Sequence, residues 1–302
     1  MQLRPIPLTD LRVSPICLGT MTFGSPVGEA DAVRLVHHAL DRGVNFLDTA
    51  NIYEGYARVV GSDGGVAETI LGRALQGRRD AVVATKVGMK IGSGPDDEHT
   101  GAPAIRRQLD ASLRRLAVDR IDLYYLHRPD PVTPLAETLA ALAEAIRAGK
   151  IRHYGVSNYS APQLAELLAV ADRLGLPRPV AHQPPLSYLK PEAVADLLPL
   201  CARERIAVVP YQVLQGGLLT GKYRRDQPPP ADSRMAEKPA WLPAPDAAWS
   251  DRLEVFEREA RAANRTPAQQ AVHWALRQPA VVSAIVGVKH LAQLDESIAA
   301  AR

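Results

Sequence analysis

With 302 residues, 46% of them hydrophobic and 23% charged, and a formal net charge of +3, the chain has a globular composition and no long basic run of the kind that binds nucleic acid. No apolar run is long enough to cross a membrane, and the first ten residues contain no signal-peptide core. The two cysteines, Cys17 and Cys201, have no partner at metal-ligand spacing, so we expect a metal-free protein in the reducing cytoplasm.

Short apolar runs that are typical of buried parallel strands recur along the chain. In chain order they are ICLGTM, VNFLDTA, AVVATKV, IDLYYLH, RHYGVSN, VAHQPPL, IAVVPYQV and VSAIVGV. Amphipathic helical stretches lie between them. In the first, Val33, Val36 and Leu40 recur at helical spacing and Gly43 can end the helix, while Ser160 is a plausible N-cap of a later one. The alternation predicts an α/β fold, a (β/α)8 TIM barrel in a single domain spanning residues 1–302, because such barrels typically take about 250 residues.

Two segments interrupt this alternation, and both follow predicted strands. One spans Ala57 to Gly65, and the other is a Pro-rich stretch from Lys222 to about Ser250. In a barrel, both would lie over the carboxyl ends of the strands, where loops of this length are usually functional. Trp241 and Trp249 in the second segment either close over an apolar ligand or pack the segment onto the barrel, and the sequence leaves both possibilities open.

Polar side chains stand at the predicted carboxyl ends of six strands, where the active site of a barrel is built. They are Asp48, Lys86, His127, the pair Ser157 and Asn158, Gln183 and Tyr211. Each has an ordinary explanation when taken alone, such as a loop cap, a surface lysine or a hydrogen-bonded core histidine. Acid, base and amide groups that converge on one rim instead predict a catalytic site. Tyr53, five residues beyond Asp48, adds a phenol to that rim.

The chain resembles the aldo-keto reductases along nearly its whole length. The motifs that carry the resemblance, in the order and at the spacings of that family, are CLGTMTFG, DTANIY, ATKVG, LHRPD, GVSN, GLLTGKY and IVGVKHLAQLDES. The resemblance implies a barrel that binds NADPH without a Rossmann fold, and the chain has no strand–GxGxxG–helix unit. It also implies a small-molecule carbonyl substrate and a catalytic tetrad of Asp48, Tyr53, Lys86 and His127.

The tetrad suits the reduction of a carbonyl group to an alcohol, which needs hydride at carbon and a proton at oxygen. The nicotinamide cofactor supplies the hydride, and the protein must supply the proton. A free phenol has a pKa of about 10, and a nearby ammonium lowers it. We therefore expect Lys86 to acidify Tyr53, Asp48 to hold Lys86 charged, and neutral His127 to orient the substrate oxygen.

The resemblance also implies which residues hold the cofactor. They are Gly19, Thr20, Met21, Asp48, Ser157, Asn158, Gln183, Tyr211, Gln212, Leu214, Gly216, Lys222, Gly287, Lys289, Gln293 and Glu296. Lys289 favours NADPH over NADH because a cation there pairs with the 2′-phosphate. Gln212 and Val213 replace the usual Ser-Pro of the pyrophosphate loop, and Ser297 stands where the family often has Asn.

The pocket differs from those of many relatives in two ways. Met21 stands where some carry a tryptophan, and many continue into a C-terminal tail that contributes to the pocket. Here the apparent last helix reaches Arg302. We therefore expect a pocket that is open or closed by the Trp241 region.

Two other functions remain open from the sequence. One is a non-catalytic NADPH-sensing subunit, since potassium-channel β subunits resemble the same family. The other is a Schiff-base aldolase that uses Lys86, although this leaves Tyr211 and the segment around Lys289 without a purpose.

Overall fold

The computed structural model describes residues 1–94, 96–225, 227–242 and 246–301, and in them each of the eight predicted strands is present. The strands of the main sheet are β3 (Ile16–Gly19), β4 (Phe46–Asp48), β5 (Val82–Val87), β6 (Ile121–Leu126), β7 (Ile151–Ser157), β8 (Ala181–Gln183), β9 (Ala207–Val208) and β10 (Ala284–Gly287). All are parallel, in the order β10-β3-β4-β5-β6-β7-β8-β9.

The two outer strands of this order, β9 and β10, are joined through the residues that flank them, and the Ile285 amide of β10 donates to the carbonyl of Pro210, just after β9, at 2.9 Å. The Val208 amide donates to the carbonyl of Ala280 at 2.8 Å, and the Val282 amide donates to the carbonyl of Val208 at 3.0 Å. These bonds curl the sheet into a barrel, and the predicted TIM-barrel fold is confirmed.

Helices follow the strands and cover the outside of the sheet. They are α1 (Glu29–Asp41), α2 (Val66–Ala74), α3 (Ala102–Leu116), α4 (Leu135–Arg147), α5 (Ala161–Leu174), α6 (Leu197–Arg203), α7 (Arg234–Glu237), α8 (Ala247–Ala262), α9 (Pro267–Leu276) and α10 (Leu291–Ala300). Ser160 caps α5 as predicted, because its side chain accepts from the Gln163 amide and the Gln163 side chain bonds back to Ser160. Gly43, with φ 82°, follows the end of α1. Arg302, where the sequence placed the end of the last helix, lies outside the described residues.

An N-terminal hairpin, which the sequence did not predict, plugs the amino end of the barrel. It consists of β1 (Arg4–Pro5) and β2 (Arg12–Val13), which are antiparallel. Its apolar side chains pack against inward-facing residues of the strands, forming a cluster of Ile6, Leu11, Val13, Cys17, Phe46, Val82, Ala84, Leu123, Tyr125, Ala181, Ala207 and Val209. Asn45 fastens the hairpin to the start of β4, through bonds with the Ser14 amide at 2.7 Å and the Arg12 carbonyl at 2.9 Å. The plugged end leaves the carboxyl end for the site.

Candidate active site

Asp48 and Lys86 meet on the inner face of the barrel because their strands are neighbours. Asp48 is the last residue of β4, and it pairs in register with Ala84, two residues before Lys86 on β5. Side chains alternate along a strand, so Ala84 and Lys86 point the same way. Asp48 is 3% exposed and Lys86 is 0% exposed. Two charges buried to this degree require each other, since an unpaired ion is costly in an apolar interior.

The Lys86 ammonium has three hydrogen-bond partners, which matches its three N–H groups. Its Nζ atom lies 2.5 Å from Asp48 Oδ1, 2.8 Å from the Thr49 carbonyl oxygen and 3.3 Å from the Tyr53 hydroxyl. The structure thus brings together three members of the predicted tetrad in one continuous chain of contacts. The ammonium also lies 4.9 Å from the centre of the Tyr53 ring.

The loop after β4 places Tyr53 over the strand ends. The Tyr53 amide donates to the Ala50 carbonyl at 3.0 Å, and the Tyr53 carbonyl accepts from the Ala67 amide of α2 at 2.9 Å. Gly55 lets the loop after β4 pack closely against the loop after β3. Its φ is 63°, and a Cβ atom there would lie 1.9 Å from the Ser25 carbonyl oxygen. A larger residue at position 55 would therefore displace the segment that carries Tyr53.

His127, the fourth predicted member, directly follows β6 and lies beside Tyr53. Its amide donates to the Val87 carbonyl at 2.8 Å, which continues the strand pairing. The two rings are edge to face, with centroids 6.0 Å apart. Burial, together with the charges of Lys86 and two nearby arginines, holds the pKa of His127 well below its usual range. The imidazole is therefore neutral at physiological pH, as expected from the sequence.

The protonation of Tyr53 and Lys86 follows from burial and from each other's charge. Burial raises the pKa of Tyr53, and the opposing effect of Lys86 is smaller. The sequence predicted a net lowering, which is wrong for this arrangement because it ignored the dehydration of the phenol. Burial lowers the pKa of Lys86, but the attraction of Asp48 and Tyr53 outweighs it and the net shift is upward. Lys86 is thus an ammonium, and Tyr53 carries its proton.

The polar residues at the ends of β7 and β8 form a second group on the same rim. Asn158 adopts a left-handed conformation, with φ 64°, and its Nδ2 donates to the His127 carbonyl at 2.8 Å. The Tyr211 hydroxyl donates to Asn158 Oδ1 at 2.7 Å, and Ser157 Oγ donates to the Gln183 carbonyl at 2.8 Å. These bonds fix Tyr211 and Asn158 at the mouth of the barrel. Tyr211 itself lies beyond β9 rather than in it.

Gln183 makes a contact that its predicted role does not include. Its Nε2 donates to Asp48 Oδ2 at 2.8 Å, while Lys86 occupies Oδ1. Gln183 therefore helps to hold the buried carboxylate, whatever else it binds.

The predicted cofactor residues of β3 and β10 meet at the opposite part of the rim. Gly19 and Gly287 are paired in register. Thr20 is fully buried, and its hydroxyl has no hydrogen-bond partner among the described residues. A Cβ atom on Gly287 would meet nothing within 4 Å. Met21 is half-buried at the start of the following loop.

The predicted pyrophosphate loop, from Gln212 to Lys222, has an irregular backbone. Gln212, Gly216 and Gly217 have φ values of 58°, 65° and 99°. Leu214 is half-buried and precedes a 3₁₀ segment, Gln215–Thr220. Burial lowers the pKa of Lys222, whose neighbours include Lys289. Turns with left-handed residues can present backbone N–H groups to an anion, but here the Gln215 and Gly217 amides donate within the loop, to the Gln212 and Leu214 carbonyls.

Lys289 lies near this loop but pairs with another residue. Its Nζ donates to Glu237 Oε2 and to the Asp232 carbonyl, both at 2.6 Å. The Lys289 amide donates to Gln293 Oε1 at 2.8 Å. Glu296 accepts from Thr266 Oγ1 at 2.6 Å, so its side chain is turned to α9. Lys289 and Gln293 are thus together, whereas Glu296 is engaged elsewhere.

Comparison with known proteins places this arrangement in a family. Residues 15–302 match the model of the "Aldo/keto reductase family". The chain belongs to the aldo/keto reductase family. Members are oxidoreductases that generally use nicotinamide cofactors.

Three similar aldo/keto reductase relatives span nearly all of the chain. YrpG of Bacillus subtilis, described as an uncharacterized oxidoreductase, is 34% identical over 97% of this chain and 88% of its own. A probable voltage-gated potassium channel subunit beta of Arabidopsis thaliana is 32% identical over 99% of this chain and 91% of its own. The solved structure of the glycerol dehydrogenase AKR11B4 from Gluconobacter oxydans superposes with a TM-score of 0.81 at 31% identity, covering 98% of this chain and 89% of that chain.

The Pro-rich segment of this aldo/keto reductase reaches the rim, and its two tryptophans behave differently. Trp241 packs edge to face on Tyr56, with centroids 5.5 Å apart, and is 49% exposed. Trp249 is half-buried against an apolar cluster that includes Leu189 and Leu218. Trp249 therefore packs the segment onto the barrel, and Trp241 stands at the rim. Pro243, Ala244 and Pro245 of this segment, and Asp226, lie outside the described residues.

Arg234 and Tyr56, which lie near the site, were missed by sequence reasoning. Arg234, in α7, donates from Nε to the Tyr56 hydroxyl at 3.1 Å, and its guanidinium lies 5.6 Å from the centre of that ring. Lys289 lies 5.7 Å from the same ring. Tyr56 thus stands between two cations. The Pro-rich segment has no hydrophobic period, so nothing in the sequence indicated that Arg234 approaches the rim.

Neither a metal site nor a membrane span is found in the described part of this aldo/keto reductase. No group of three or more His, Cys, Asp or Glu residues there is arranged to hold a metal ion. No described helix is long and apolar enough to cross a membrane.

Proposed function

We propose that the protein is an NADPH-dependent reductase that converts an aldehyde or ketone to an alcohol, with Tyr53 as the proton donor. The observation that carries this proposal is the chain of contacts from Asp48 through Lys86 to Tyr53. In it the ammonium lies 2.5 Å from the carboxylate and 3.3 Å from the phenol oxygen. A phenol beside a buried, permanently charged ammonium can release its proton and leave a stabilised phenolate.

Each tetrad member has a distinct task in the reaction. The Tyr53 hydroxyl gives its proton to the substrate oxygen, and Lys86 stabilises the resulting phenolate. Asp48 keeps Lys86 charged and in place, and Gln183 holds the second oxygen of Asp48. His127 is neutral and buried beside the Tyr53 ring, where its imidazole can donate a hydrogen bond to the same substrate oxygen.

The residues at the rim fit a phosphorylated dinucleotide, which when bound supplies the hydride. The Thr20 hydroxyl is buried and has no partner in the described structure, and open space lies above Gly287. Ser157, Asn158 and Tyr211 would hold the nicotinamide end. The left-handed turn at Gly216 and Lys222 would hold the pyrophosphate, and Lys289 would hold the 2′-phosphate, which favours NADPH.

The test is an NADPH-oxidation screen across aromatic aldehydes, sugar aldehydes, keto acids and ketones, with wild type and Tyr53→Phe. We expect turnover by wild type and a loss of about 10²–10⁴-fold in Tyr53→Phe, with unchanged NADPH affinity. Tyr124→Phe is the matched control, since it removes a buried hydroxyl on the outer face that has no partner in the described residues. If Tyr53→Phe oxidised NADPH with these carbonyl compounds at the wild-type rate, the proposal would be wrong.

A second candidate is a non-catalytic NADPH-sensing subunit, favoured by the 32% identity to a probable potassium-channel β subunit. The complete tetrad supports the enzyme instead. Tight NADPH binding without oxidation by any carbonyl compound of the screen would favour the sensor. The aldolase hypothesis has less support, because a Schiff-base lysine must be neutral to attack, and Asp48 keeps Lys86 charged.

A further inference from the structure

Arg58 lies in the segment from Ala57 to Gly65 and joins two loops at the rim. Its Nη1 donates to the Ile52 carbonyl at 3.1 Å, and its Nη2 donates to the Lys90 carbonyl at 2.9 Å. The first carbonyl belongs to the loop after β4 and the second to the loop after β5. The guanidinium is therefore fixed between the loops that follow the Asp48 and Lys86 strands.

The backbone groups that hold Arg58 border the proposed proton donor. Ile52 directly precedes Tyr53, and Lys90 directly precedes Ile91. Ile52 and Ile91 are buried together, and Tyr53 packs against them. Arg58 thus stands at the edge of the apolar wall beside the Tyr53 ring, and the half-buried side chain is not a freely moving surface group.

No ion pair within the described structure neutralises the charge of Arg58, although the Glu54 carboxylate is nearby. Among the residues that the structure describes, no carboxylate forms an ion pair with it, and nearby Glu54 accepts a hydrogen bond from the Ser62 hydroxyl instead. Burial lowers the pKa of Arg58 in spite of the attraction of Glu54. The other arginine near His127, Arg128, is paired with Glu98 at 2.8 Å.

The field of Arg58 reaches the catalytic rim. Burial has the largest effect on the pKa of His127, but the charges of Lys86, Arg128 and Arg58 each lower it further. Lys86 is already matched by Asp48, and Arg128 by Glu98. Arg58 is therefore a half-buried cation near His127 that forms no ion pair within the described residues, and the same is true of Arg234 and Lys222 elsewhere on the rim.

We propose that Arg58 is a specificity-determining residue that binds an anionic group of the substrate, so that the preferred substrates are aldehydes or ketones carrying a carboxylate or a phosphate. This inference rests on the proposed reductase function. Two of the five N–H groups of the guanidinium are committed to backbone carbonyls, which leaves three donors for an anion. A rigidly held, partly dehydrated guanidinium without a counter-ion gains more from an anion than a mobile surface arginine does.

The test compares charged and neutral substrates of equal size. We expect kcat/KM of the wild type to be about 10- to 100-fold higher for 4-carboxybenzaldehyde than for 4-carbamoylbenzaldehyde, the range for a hydrogen bond to a charged group. Glyceraldehyde 3-phosphate against glyceraldehyde is the phosphate arm. A preference in one arm alone supports the proposal and identifies the anion. The preference should fall as ionic strength rises.

The variants separate the charge of Arg58 from its structural role. In Arg58→Gln we expect the ratio of kcat/KM for the charged aldehyde to kcat/KM for the neutral aldehyde to fall to about one, because the loss of the two loop bonds affects both substrates alike whereas the loss of the charge affects only the first. In Arg58→Lys we expect part of the ratio to remain. Arg128→Gln is the matched control and should keep the preference, because Glu98 already neutralises Arg128. Equal rates for the charged and neutral aldehydes in wild type, or a preference that survives in Arg58→Gln, would overturn the proposal.

A binding measurement keeps this test independent of turnover. In calorimetric titrations we expect benzoate to bind wild type more tightly than benzamide, and Arg58→Gln to bind both equally. If no carbonyl compound is reduced but benzoate keeps its advantage over benzamide, the reductase proposal fails and the anion site stands. If reduction occurs, neither substrate arm shows a preference and the two ligands bind equally, the anion site fails alone.

Discussion

Gln183 Nε2 donates a 2.8 Å hydrogen bond to Oδ2 of Asp48, although the two residues are 135 positions apart in the chain. The bond crosses the mouth of the barrel from β8 to β4. With Lys86 on Oδ1, it leaves neither oxygen of the buried carboxylate without a donor. The position of Lys86, and through it that of Tyr53, is therefore held by two sides of the barrel.

Replacing the ammonium should harm catalysis more than replacing the carboxylate. We expect Lys86→Met to be nearly inactive, because the phenolate loses its counter-charge, and we expect a smaller loss in Asp48→Asn, since Gln183 can turn its amide to accept from Asn. Each change leaves a buried charge unpaired and should cost about 3–5 kcal/mol of unfolding free energy. The measurements are single-turnover reduction and chemical unfolding.

Because the two residues form one unit, the double variant supplies the control. Asp48→Asn combined with Lys86→Met should lose much less activity and stability than the sum of the single losses. Additive losses would show that the pair does not act together.

Lys289 should select NADPH against NADH. We expect Lys289→Ala to weaken NADPH binding by about 1–3 kcal/mol and to leave NADH almost unchanged, because NADH lacks the 2′-phosphate. Glu237→Gln removes the carboxylate that now holds Lys289, so it should not weaken NADPH. Fluorescence titration with both cofactors checks this. If Lys289→Ala and Glu237→Gln weakened NADPH binding equally, Lys289 would act only by holding the Pro-rich segment through its ion pair with Glu237.

The two tryptophans of the Pro-rich segment should have separable effects. Trp241 is at the rim on Tyr56, so Trp241→Ala should change the ranking of bulky against small aldehydes in kcat/KM. Trp249 packs in an apolar cluster, so Trp249→Ala should lower the unfolding free energy by about 3 kcal/mol or less and leave the ranking unchanged. An unaltered ranking in Trp241→Ala would remove the segment from the substrate pocket.

His182 should make the fold sensitive to acid. It is fully buried, and burial lowers its pKa to about 4. The Tyr159 carbonyl oxygen lies 3.0 Å from Nε2 and opposes part of this lowering. An unfolded histidine has a pKa of about 6.5, so below that pH the unfolded chain binds the extra proton. Stability should therefore fall as pH drops from about 6.5 to about 4, by about 3 kcal/mol for this residue.

The variant His182→Gln isolates this contribution, since His127 and His153 also have lowered pKa values. Glutamine can still donate to the Tyr159 carbonyl but does not titrate. We expect its unfolding free energy, measured by urea titration at a series of pH values, to depend less on pH than that of wild type by about 1.4 kcal/mol per unit. Parallel curves would contradict the assignment.

The strands, and the position of Asp48, Lys86 and His127 at their ends, were predictable because their signals are local, whereas the grouping of these residues with Tyr53 as a tetrad came from the resemblance to a family. Each buried strand is a short apolar run, and Asp48 and Lys86 stand out because charge at the end of such a run is unusual. The hairpin β1–β2 was not predictable, since two-residue strands leave no pattern. The pairing of Lys289 with Glu237 and the bond from Gln183 to Asp48 depend on chain segments that are distant in sequence.

The net pKa of Tyr53 was also beyond the sequence. From the sequence one can identify a lysine that will lie near the phenol, but not how far the phenol is removed from water. In Tyr53, removal from water has the larger effect on the pKa.

The pairing of β3 with β10 has a consequence for how the protein is made. Ile16 lies in register with Ala284, so the first and last strands of the barrel share an edge. During synthesis, the β10-facing edge of β3 stays without its partner until residues 284–287 are available, and the seven other strands of the sheet are made before them. Unpaired strand edges are sites of association between chains. We therefore expect nascent chains that end before β10 to need chaperone protection, and released chains truncated there to aggregate.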